Sequence, residues 1–241
     1  MTDLTSFDER STETPILRRS LHDETVARLR DMIIDGRLAP GDRVNEGDVG
    51  RRLGVSRTPM REALKTLAAE GLIENVPGRG AVVRAFTRHD VFDMLEALKI
   101  IEQEAGRLAC ARASDADIAS LRAVHDRMME LYAVRSRLNY FKLNQDIHSG
   151  FARISGNATL LWAHESIQAR MKRIRFVGNG SEDKWAAAVA EHEEMIVALE
   201  AHDGDTLAEV IGRHIDRTWV RVQDALPERT AAAPSEEPLA S

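Results

Sequence analysis

Apolar residues recur with helical spacing over most of the chain, and the breaks in that spacing divide it into elements. A first helix is predicted at 23–35. Two shorter helices follow at about 46–53 and 57–70, and Asn45 and Ser56 stand before them with side chains that can cap a helix.

The spacing becomes extended after the third helix. Two short apolar runs, 72–76 and 81–85, lie on either side of the turn sequence Pro-Gly-Arg-Gly at 77–80. This arrangement predicts a β-hairpin. A hairpin that directly follows three short helices is a wing, and Arg79 is expected at its tip.

From about residue 87 onward, the spacing is helical to the end of the folded chain. The predicted helices cover about 89–112, 114–135, 138–155, 157–177, 182–202 and 205–226. Residues suited to capping stand at several of their starts, namely Ser114, Asn157, Ser181 and Asp205. The predicted fold is mostly α: an N-terminal winged helix-turn-helix with a small β-hairpin wing, followed by an all-α six-helix bundle.

The third predicted helix has two unlike sides. Arg57, Arg61 and Lys65 recur every four residues and form a cationic stripe. The opposite side carries apolar residues spaced to pack on a core, Met60, Ala63, Leu64 and Leu67. A helix of this kind, reached through a tight turn from a preceding helix, has the layout of a DNA-recognition helix.

Charge supports that interpretation. Between Arg51 and Thr66 the chain carries five basic residues and one acidic residue, a local balance of +4, whereas the whole chain has a net charge of −6. The contrast favours a phosphate-facing surface, although a solvated basic face would give the same count.

No apolar run approaches the roughly 20 residues that span a bilayer, so no membrane contact and a cytoplasmic location are expected.

These observations divide the chain into two domains and two tails. Residues 21–86 form the predicted DNA-binding domain, and residues 87–226 form a predicted all-helical domain with a different role, for which the resemblance given below implies effector binding and dimerisation. Residues 1–20 and 227–241 have the composition of disordered tails.

Three of the eight histidines fall on inward faces of the predicted bundle. His214 interrupts an apolar seam on the last helix, and His192 does the same on the helix before it. Asn144 and His148 lie one turn apart on the third helix of the bundle. Imidazoles and an amide oxygen converging from three helices can hold a divalent cation. Taken singly, each histidine could instead be a core residue bonded to a backbone carbonyl.

The other side chains with catalytic chemistry are less informative. His22, His89, His125, His164 and His202 are expected at helix ends or on polar faces, and Cys110 in a small-residue core position. The segment after His192 lacks the second histidine of an HExxH zinc hydrolase. A metalloenzyme would need Glu191 or Asp146 as its general base, and neither belongs to a motif.

With both halves considered, the chain resembles GntR-family bacterial transcription regulators of the FadR type, in which a winged helix precedes an all-helical FCD effector domain. In the head the resemblance rests on LGVSRTPMREAL at 53–64, followed by GLIENVPGRGAVV. In the body it rests on the order and spacing of Asn144/His148, SGN at 155–157, EH at 191–192, GD at 204–205 and His214. Six body helices resemble the VanR subgroup.

The resemblance implies functional residues by position. Arg57 and Arg61 would contact bases or phosphates, Thr58 would assist, and the wing would enter the minor groove through Gly78, Arg79 and Gly80. The surrounding surface adds Arg51, Arg52, Ser56 and Lys65 to the predicted DNA contacts. A divalent metal ion, Zn, Ni or Mn-like, is implied beside a carboxylate effector, with Asn144, His148, His192 and His214 as its ligands.

Two departures from the family pattern affect the expected ligands. Asn144 stands where an aspartate is frequent and supplies only a neutral oxygen, which lowers the affinity or changes the preferred ion. Lys99 stands where many members have an effector-binding arginine, so a bidentate clamp becomes a point charge. Arg170 and Arg173 are the predicted replacements for that clamp.

The leading hypothesis is a homodimeric, metabolite-responsive repressor. One recognition helix reads only a few base pairs, so two copies on a palindromic double-stranded operator are expected. The expected effector is a small organic acid, sugar acid or amino acid. Two alternatives stay open: a helical metalloenzyme with an accessory DNA-binding head, and a structural DNA-binding protein without a ligand.

Overall fold

Two separate hydrophobic cores organise the chain, one in an N-terminal head and one in a helical body. The computed structural model describes residues 20–178 and 182–228, except for the side chains of 182–184. The head contains α1 (Leu21–Ile34), α2 (Glu46–Leu53), α3 (Arg57–Ala69), β1 (Ile73–Val76) and β2 (Gly80–Val83). The body contains α4 (Arg88–Arg112), α5 (Asp115–Ala133), α6 (Arg137–Ile154), α7 (Ala158–Gly178), α8 (Glu182–Glu200), α9 (Gly204–Val222) and a 3₁₀ turn (Gln223–Ala225). The predicted fold class is confirmed.

The turn between α2 and α3 depends on two glycines. Gly54 closes α2 in the left-handed conformation, with φ of 70°. A Cβ atom on Gly50 would lie 2.9 Å from the carbonyl oxygen of Val55, so only glycine lets the two helices approach this closely. Asn45 caps α2 as predicted, since its Oδ1 accepts from the backbone N–H of Gly47 at 3.0 Å.

The wing forms as predicted. Strands β1 and β2 pair antiparallel with Ile73 opposite Val83 and Val76 opposite Gly80. Gly78 and Gly80 have φ of 73° and 78°, which supplies the left-handed backbone that this tight hairpin requires. Arg43 forms an isolated bridge to Val82, and this bridge fastens the hairpin to the loop before α2.

The caps of the body helices mostly agree with the prediction, with one correction. Ser114 forms a capping box with Asp117, and Asn157 Oδ1 accepts from the backbone N–H of Leu160 at 3.1 Å. The expected cap at Asp205 is wrong: Asp203 Oδ1 accepts from the backbone N–H of Thr206 at 3.0 Å, and the helix already begins at Gly204. The predicted cap at Ser181 lies outside the described residues.

Of the two predicted tails, the structure describes only Ser20 and residues 227–228, and the rest lies outside the described residues. None of the described helices is long and apolar enough to cross a membrane.

The head is attached to the body along α1 and α7. Arg173 Nη1 donates to the carbonyl oxygens of Ile33 and Ile34 at 2.9 and 3.3 Å. Lys142 Nζ on α6 lies 2.6 Å from Asp31 Oδ2. Arg173 thus satisfies carbonyl groups at the C-terminus of α1, which has no basic residue of its own in its last turn, and Lys142 adds an ion pair. We call this region the head–body junction.

Candidate functional site: a cationic helix and a histidine cluster

The outer face of α3 is cationic and exposed, and its inner face is buried. Arg57, Thr58, Arg61 and Lys65 are exposed, whereas Met60, Ala63, Leu64 and Leu67 are buried in the core of the head. Arg51 and Arg52 at the end of α2 are exposed beside them. The predicted division of this helix into two sides is therefore confirmed.

Several of these cations already have acidic partners on the surface. Arg61 Nε lies 2.8 Å from Glu46 Oε2, Lys65 Nζ lies 2.8 Å from Glu62 Oε1, and Arg51 pairs with Asp48. The basic side chains in these pairs are between 64% and 81% exposed. Exposed pairs contribute only about 0–1 kcal/mol each, so a phosphate can replace the carboxylate at little cost.

The wing and α3 open onto one surface. Arg57 and Arg61 line a shallow cleft together with Gly80 of the wing and Asn45. Arg79, at the hairpin tip, is exposed, and its Nη2 donates to the carbonyl oxygen of Gly41 at 3.3 Å. The cationic helix and the wing tip are thus placed to contact adjacent parts of one ligand.

The start of α3 differs from the prediction in one respect. Ser56 is the residue before the helix, but its side chain makes no capping hydrogen bond. Pro59 has no N–H and the N–H of Met60 donates to the carbonyl oxygen of Ser56 at 3.4 Å, so the N–H groups of Arg57 and Thr58 are the ones left without an intrahelical acceptor or a cap from Ser56. Such groups are suited to donate to a phosphate oxygen.

Three buried histidines meet in the centre of the body. His148 on α6, His192 on α8 and His214 on α9 each offer one ring nitrogen, and the three nitrogens lie within 4.8 Å of one another. All three residues are at most 3% exposed. We call this group the histidine cluster. The sequence-based prediction that these three residues converge agrees with the geometry.

Each ring of the histidine cluster is held by an acceptor on its far side. His148 Nδ1 lies 2.7 Å from Glu102 Oε2, and His214 Nδ1 lies 2.5 Å from Glu191 Oε2. His192 Nδ1 lies 2.6 Å from the carbonyl oxygen of Ala188. Carbonyl and carboxylate oxygens only accept, so Nδ1 carries the proton in each ring and Nε2 keeps its lone pair.

Burial keeps these rings neutral. Burial, together with the repulsion that a protonated His192 would meet from protonated His214 and His148, holds the pKa of His192 well below its usual value. Burial likewise lowers the pKa of His214 and, against the attraction of Glu102, that of His148. Burial alone would raise the pKa of Glu102, but its interactions with His148 and Arg175 outweigh burial and hold that pKa well below the ordinary range.

Comparison with known proteins assigns each half of the chain to a known domain. Residues 21–83 match the pattern of the bacterial regulatory proteins of the gntR family, and residues 93–217 match the FCD domain. The chain belongs to the GntR family of transcription regulators.

Individual relatives agree with that assignment. The Nta operon transcriptional regulator of Aminobacter aminovorans is 33% identical over 166 residues, which cover 68% of this chain and 74% of the relative. The HTH-type transcriptional repressor RspR of Escherichia coli K12 is 27% identical over 205 residues, or 84% and 89% of the two chains. The solved structure of E. coli McbR/YncC superposes with a TM-score of 0.74 at 18% identity, covering 86% and 99%. The relatives are regulators and not enzymes.

The donor set of the GntR-family chain fits a divalent metal ion. His148 Nε2 and His192 Nε2 lie 3.2 Å apart, and because both rings carry their proton at Nδ1, two lone pairs face each other there. Two imidazole nitrogens bound to one tetrahedral zinc ion are separated by about 3.3 Å, given zinc–nitrogen distances of about 2.0–2.1 Å. Carboxylates that fix the far side of ligand rings are the usual support of such a site. Buried lone pairs facing one another are costly unless a cation lies among them.

Asn144 touches the histidine cluster but faces it with its amide nitrogen. Its Nδ2 lies 2.6 Å from His192 Nε2, and its Oδ1 accepts from Gln145 Nε2 at 2.8 Å. To act as a ligand through oxygen, as predicted, the amide would have to turn over and release Gln145.

The predicted effector residues do not lie at the histidine cluster. Lys99 Nζ lies 2.7 Å from Asp216 Oδ2 on the surface of the body. Arg170 and Arg173 lie at the head–body junction, where Arg173 binds the end of α1. Helical spacing alone does not show which partner covers each face of α7.

A buried cation that reaches the ring nitrogens of the histidine cluster is Arg175, which the sequence did not single out. It is 4% exposed, and its Nη1 lies 3.5 Å from Glu102 Oε1 while its Nη2 lies 3.5 Å from His148 Nε2. His164, expected on a polar face, is fully buried with Nε2 3.3 Å from Glu102 Oε1. His125, also expected to be solvated, is 1% exposed.

The candidate bases of the enzyme alternative are not placed for catalysis. Glu191 is buried, holds His214, and accepts from Arg217 Nη1 at 2.8 Å. Asp146 is exposed on α6. Cys110 is buried as expected, and burial raises the pKa of its thiol to about 11, which keeps it protonated.

We expect the metal-free protein to lose stability as the pH falls below about 6.5. The unfolded chain binds protons at its histidines near that pH, whereas burial lowers the pKa of His148, His192 and His214 in the folded state. Stability from these groups is present above pH 6.5 and is lost below it. Urea midpoints at pH 7.5 and 5.5, with chelator, measure the effect. His192→Gln should reduce the difference between the two urea midpoints, whereas the exposed-site control His89→Gln should leave that difference unchanged. The same difference in both variants would contradict this expectation.

Proposed function

We propose that this GntR-family regulator is a metabolite-responsive homodimeric repressor, with a divalent metal ion and a small carboxylate effector bound in its FCD domain. The observation that carries the proposal is the histidine cluster: three neutral imidazoles that face one another, each fixed from behind by an acceptor. A purely structural bundle has no need of this arrangement, because apolar side chains would fill the same space at lower cost.

The head would read DNA with α3 in the major groove. Arg57 and Arg61 on its exposed face would contact base edges or phosphates, with Thr58 beside them. Lys65, Arg51, Arg52 and the backbone N–H groups of Arg57 and Thr58 would bind backbone phosphates. The wing residues Gly78, Arg79 and Gly80 would lie against the adjacent minor groove. The exposed ion pairs of this face support the proposal, since a phosphate displaces them easily.

The metal would be held by His148, His192 and His214. Asn144 is the fourth neighbour, and it would ligate only after its amide turns. The neutral nitrogen-rich donor set suits zinc, nickel or a similar ion better than magnesium or calcium. A bound ion would supply positive charge to attract an effector's carboxylate. Among the relatives, one is described as a probable D-xylose utilization operon repressor, which agrees with a role in metabolite response.

Arg175 would bind the effector's carboxylate. Its guanidinium is buried within 3.5 Å of both Glu102 and His148, so its position is fixed before any ligand arrives. A planar fork of donors matches a carboxylate better than the point charge of Lys99 does. The effector is therefore proposed to be an organic acid, sugar acid or amino acid that spans from the histidine cluster to Arg175.

Two protomers would supply two recognition helices for a palindromic operator. Large apolar side chains are exposed on the paired helices α4 and α9, at Phe92, Ile100 and Val220. Exposed apolar groups of this size on neighbouring helices are typical of a contact surface.

A thermal-shift screen tests the effector proposal. Purified protein is heated with organic, sugar and amino acids, each with and without zinc. We expect at least one acid to raise the melting temperature only when zinc is present, because ligand binding stabilises the folded state by mass action. Arg175→Met should abolish the shift that the acid causes in the presence of zinc, while keeping the shift that zinc causes alone. The exposed control Arg127→Met should keep both shifts. A shift that survives in Arg175→Met would contradict the assignment of Arg175.

A further inference from the structure

A second cavity lies at the head–body junction, apart from the histidine cluster. It has a volume of about 150 Å³ and is lined by the head, by the linker between head and body, and by the body. Ile33 and Leu72 come from the head, Phe86 from the linker, and Ile174, Val177 and Leu226 from the body. A ligand in this space would contact all three parts of the chain at once.

The lining combines apolar walls with an excess of positive charge. Arg84, Arg170 and Arg173 line the cavity, and no acidic residue is among the described lining residues. The nearby acids are engaged elsewhere: Asp31 binds Lys142, and Asp35 binds Arg37. Asp35 and Asp42 lie near Arg173, and their negative charges partly offset its positive charge.

One of these arginines has a donor without an acceptor. Arg170 Nε is buried and makes no hydrogen bond to any described residue. The side chain is held close to the head, since a Cβ atom on Gly71 would lie 2.7 Å from Nε. A buried guanidinium donor left unpaired costs free energy, and an anion in the cavity would remove that cost.

We propose that this cavity binds a small amphipathic monoanion, a carboxylate carried on a ring or branched hydrocarbon of about the size of benzene. An apolar protein cavity of about 150 Å³ is large enough to hold benzene. The carboxylate meets the guanidinium groups of Arg170 and Arg84, and the hydrocarbon part packs on Phe86 and Ile174. The occupant bridges head, linker and body, so it favours the arrangement in which the head is docked.

The site does not depend on the histidine cluster, and the test separates the two. Benzoate is the probe, and its dissociation constant is measured by calorimetry with the full chain. We expect Arg170→Met to weaken benzoate binding about tenfold or more, because a charge-assisted hydrogen bond is lost. Val177→Trp, at a position 42% exposed, should weaken it similarly by filling the cavity mouth. Arg127→Met is the matched control and should bind as wild type does.

The metal-free His192→Ala variant should also retain benzoate binding. Loss of binding in His192→Ala with full binding in Arg170→Met would place benzoate at the histidine cluster and overturn the proposal. Absence of benzoate binding to wild type would overturn it as well. The claim that the occupant biases the head requires operator affinity to change at saturating benzoate in wild type but not in Arg170→Met; an unchanged operator affinity in wild type would refute that claim.

Discussion

His192→Ala is expected to lose its divalent ion, with an affinity at least about a hundredfold below that of the wild type. Loss of even one supporting residue around a metal ligand costs roughly 10–100-fold in affinity, and His192 is itself a proposed ligand. Its Nε2 lies 3.2 Å from that of His148, so its removal opens the centre of the histidine cluster. Metal analysis after dialysis should find about one ion per wild-type chain and almost none per variant chain.

Stability gives an independent measure of the same loss. Zinc at a hundred times its dissociation constant stabilises a folded protein by about 2.7 kcal/mol. We therefore expect added zinc to raise the melting temperature of the wild type and not that of His192→Ala. His89→Ala removes an exposed histidine and serves as the control that should behave like the wild type. Equal metal content in His192→Ala and wild type would show that the histidines are structural residues only.

Replacing Arg57 or Arg61 with alanine is expected to weaken operator binding by about 1–3 kcal/mol each, if each makes a bidentate base contact. Both side chains are exposed on α3, and neither belongs to the core of the head. Their removal should leave the fold intact, which circular dichroism and the melting temperature check. Fluorescence anisotropy on a duplex selected from a randomised pool gives the affinity.

The salt dependence distinguishes base contacts from phosphate contacts. A lost phosphate contact lowers the slope of log affinity against log salt by about one and weakens all sequences alike. A lost base contact instead relaxes specificity at one position of the operator. Arg127→Ala, on the body, should change neither the affinity nor the slope. Wild-type affinity in both Arg57→Ala and Arg61→Ala would remove α3 from the DNA interface.

Much of the fold follows from local sequence signals. Capping residues such as Asn45 and Ser114, and the glycines of the α2–α3 turn and the wing, act on their own neighbourhood, so their effects can be predicted without a structure. Errors remained where two local signals compete. Asp203 and Asp205 can both cap a helix start, and Gly204 between them belongs to the helix.

The inward position of the three histidines of the cluster could be predicted, because each lies on the apolar face of its own helix. The carboxylates that hold these rings could not be predicted, because Glu102 is 46 residues from His148 in the sequence and Glu191 is 23 residues from His214. A hydrophobicity pattern places charged residues at the surface by default. Glu102 and Arg175 are buried only because other helices supply their partners, and no signal on α4 or α7 alone shows this.

We propose that a ligand at the histidine cluster controls DNA binding by the head. The most direct test measures operator affinity by anisotropy with zinc-loaded and zinc-free protein, each with and without an acid that gives a thermal shift. By reciprocity, an effector that changes DNA affinity must have its own affinity changed by DNA to the same degree. We predict a change of about 5–150-fold in operator affinity for the zinc-loaded wild type, and no change in zinc-free protein or in His192→Ala. An operator affinity that is the same in all these states would contradict the account.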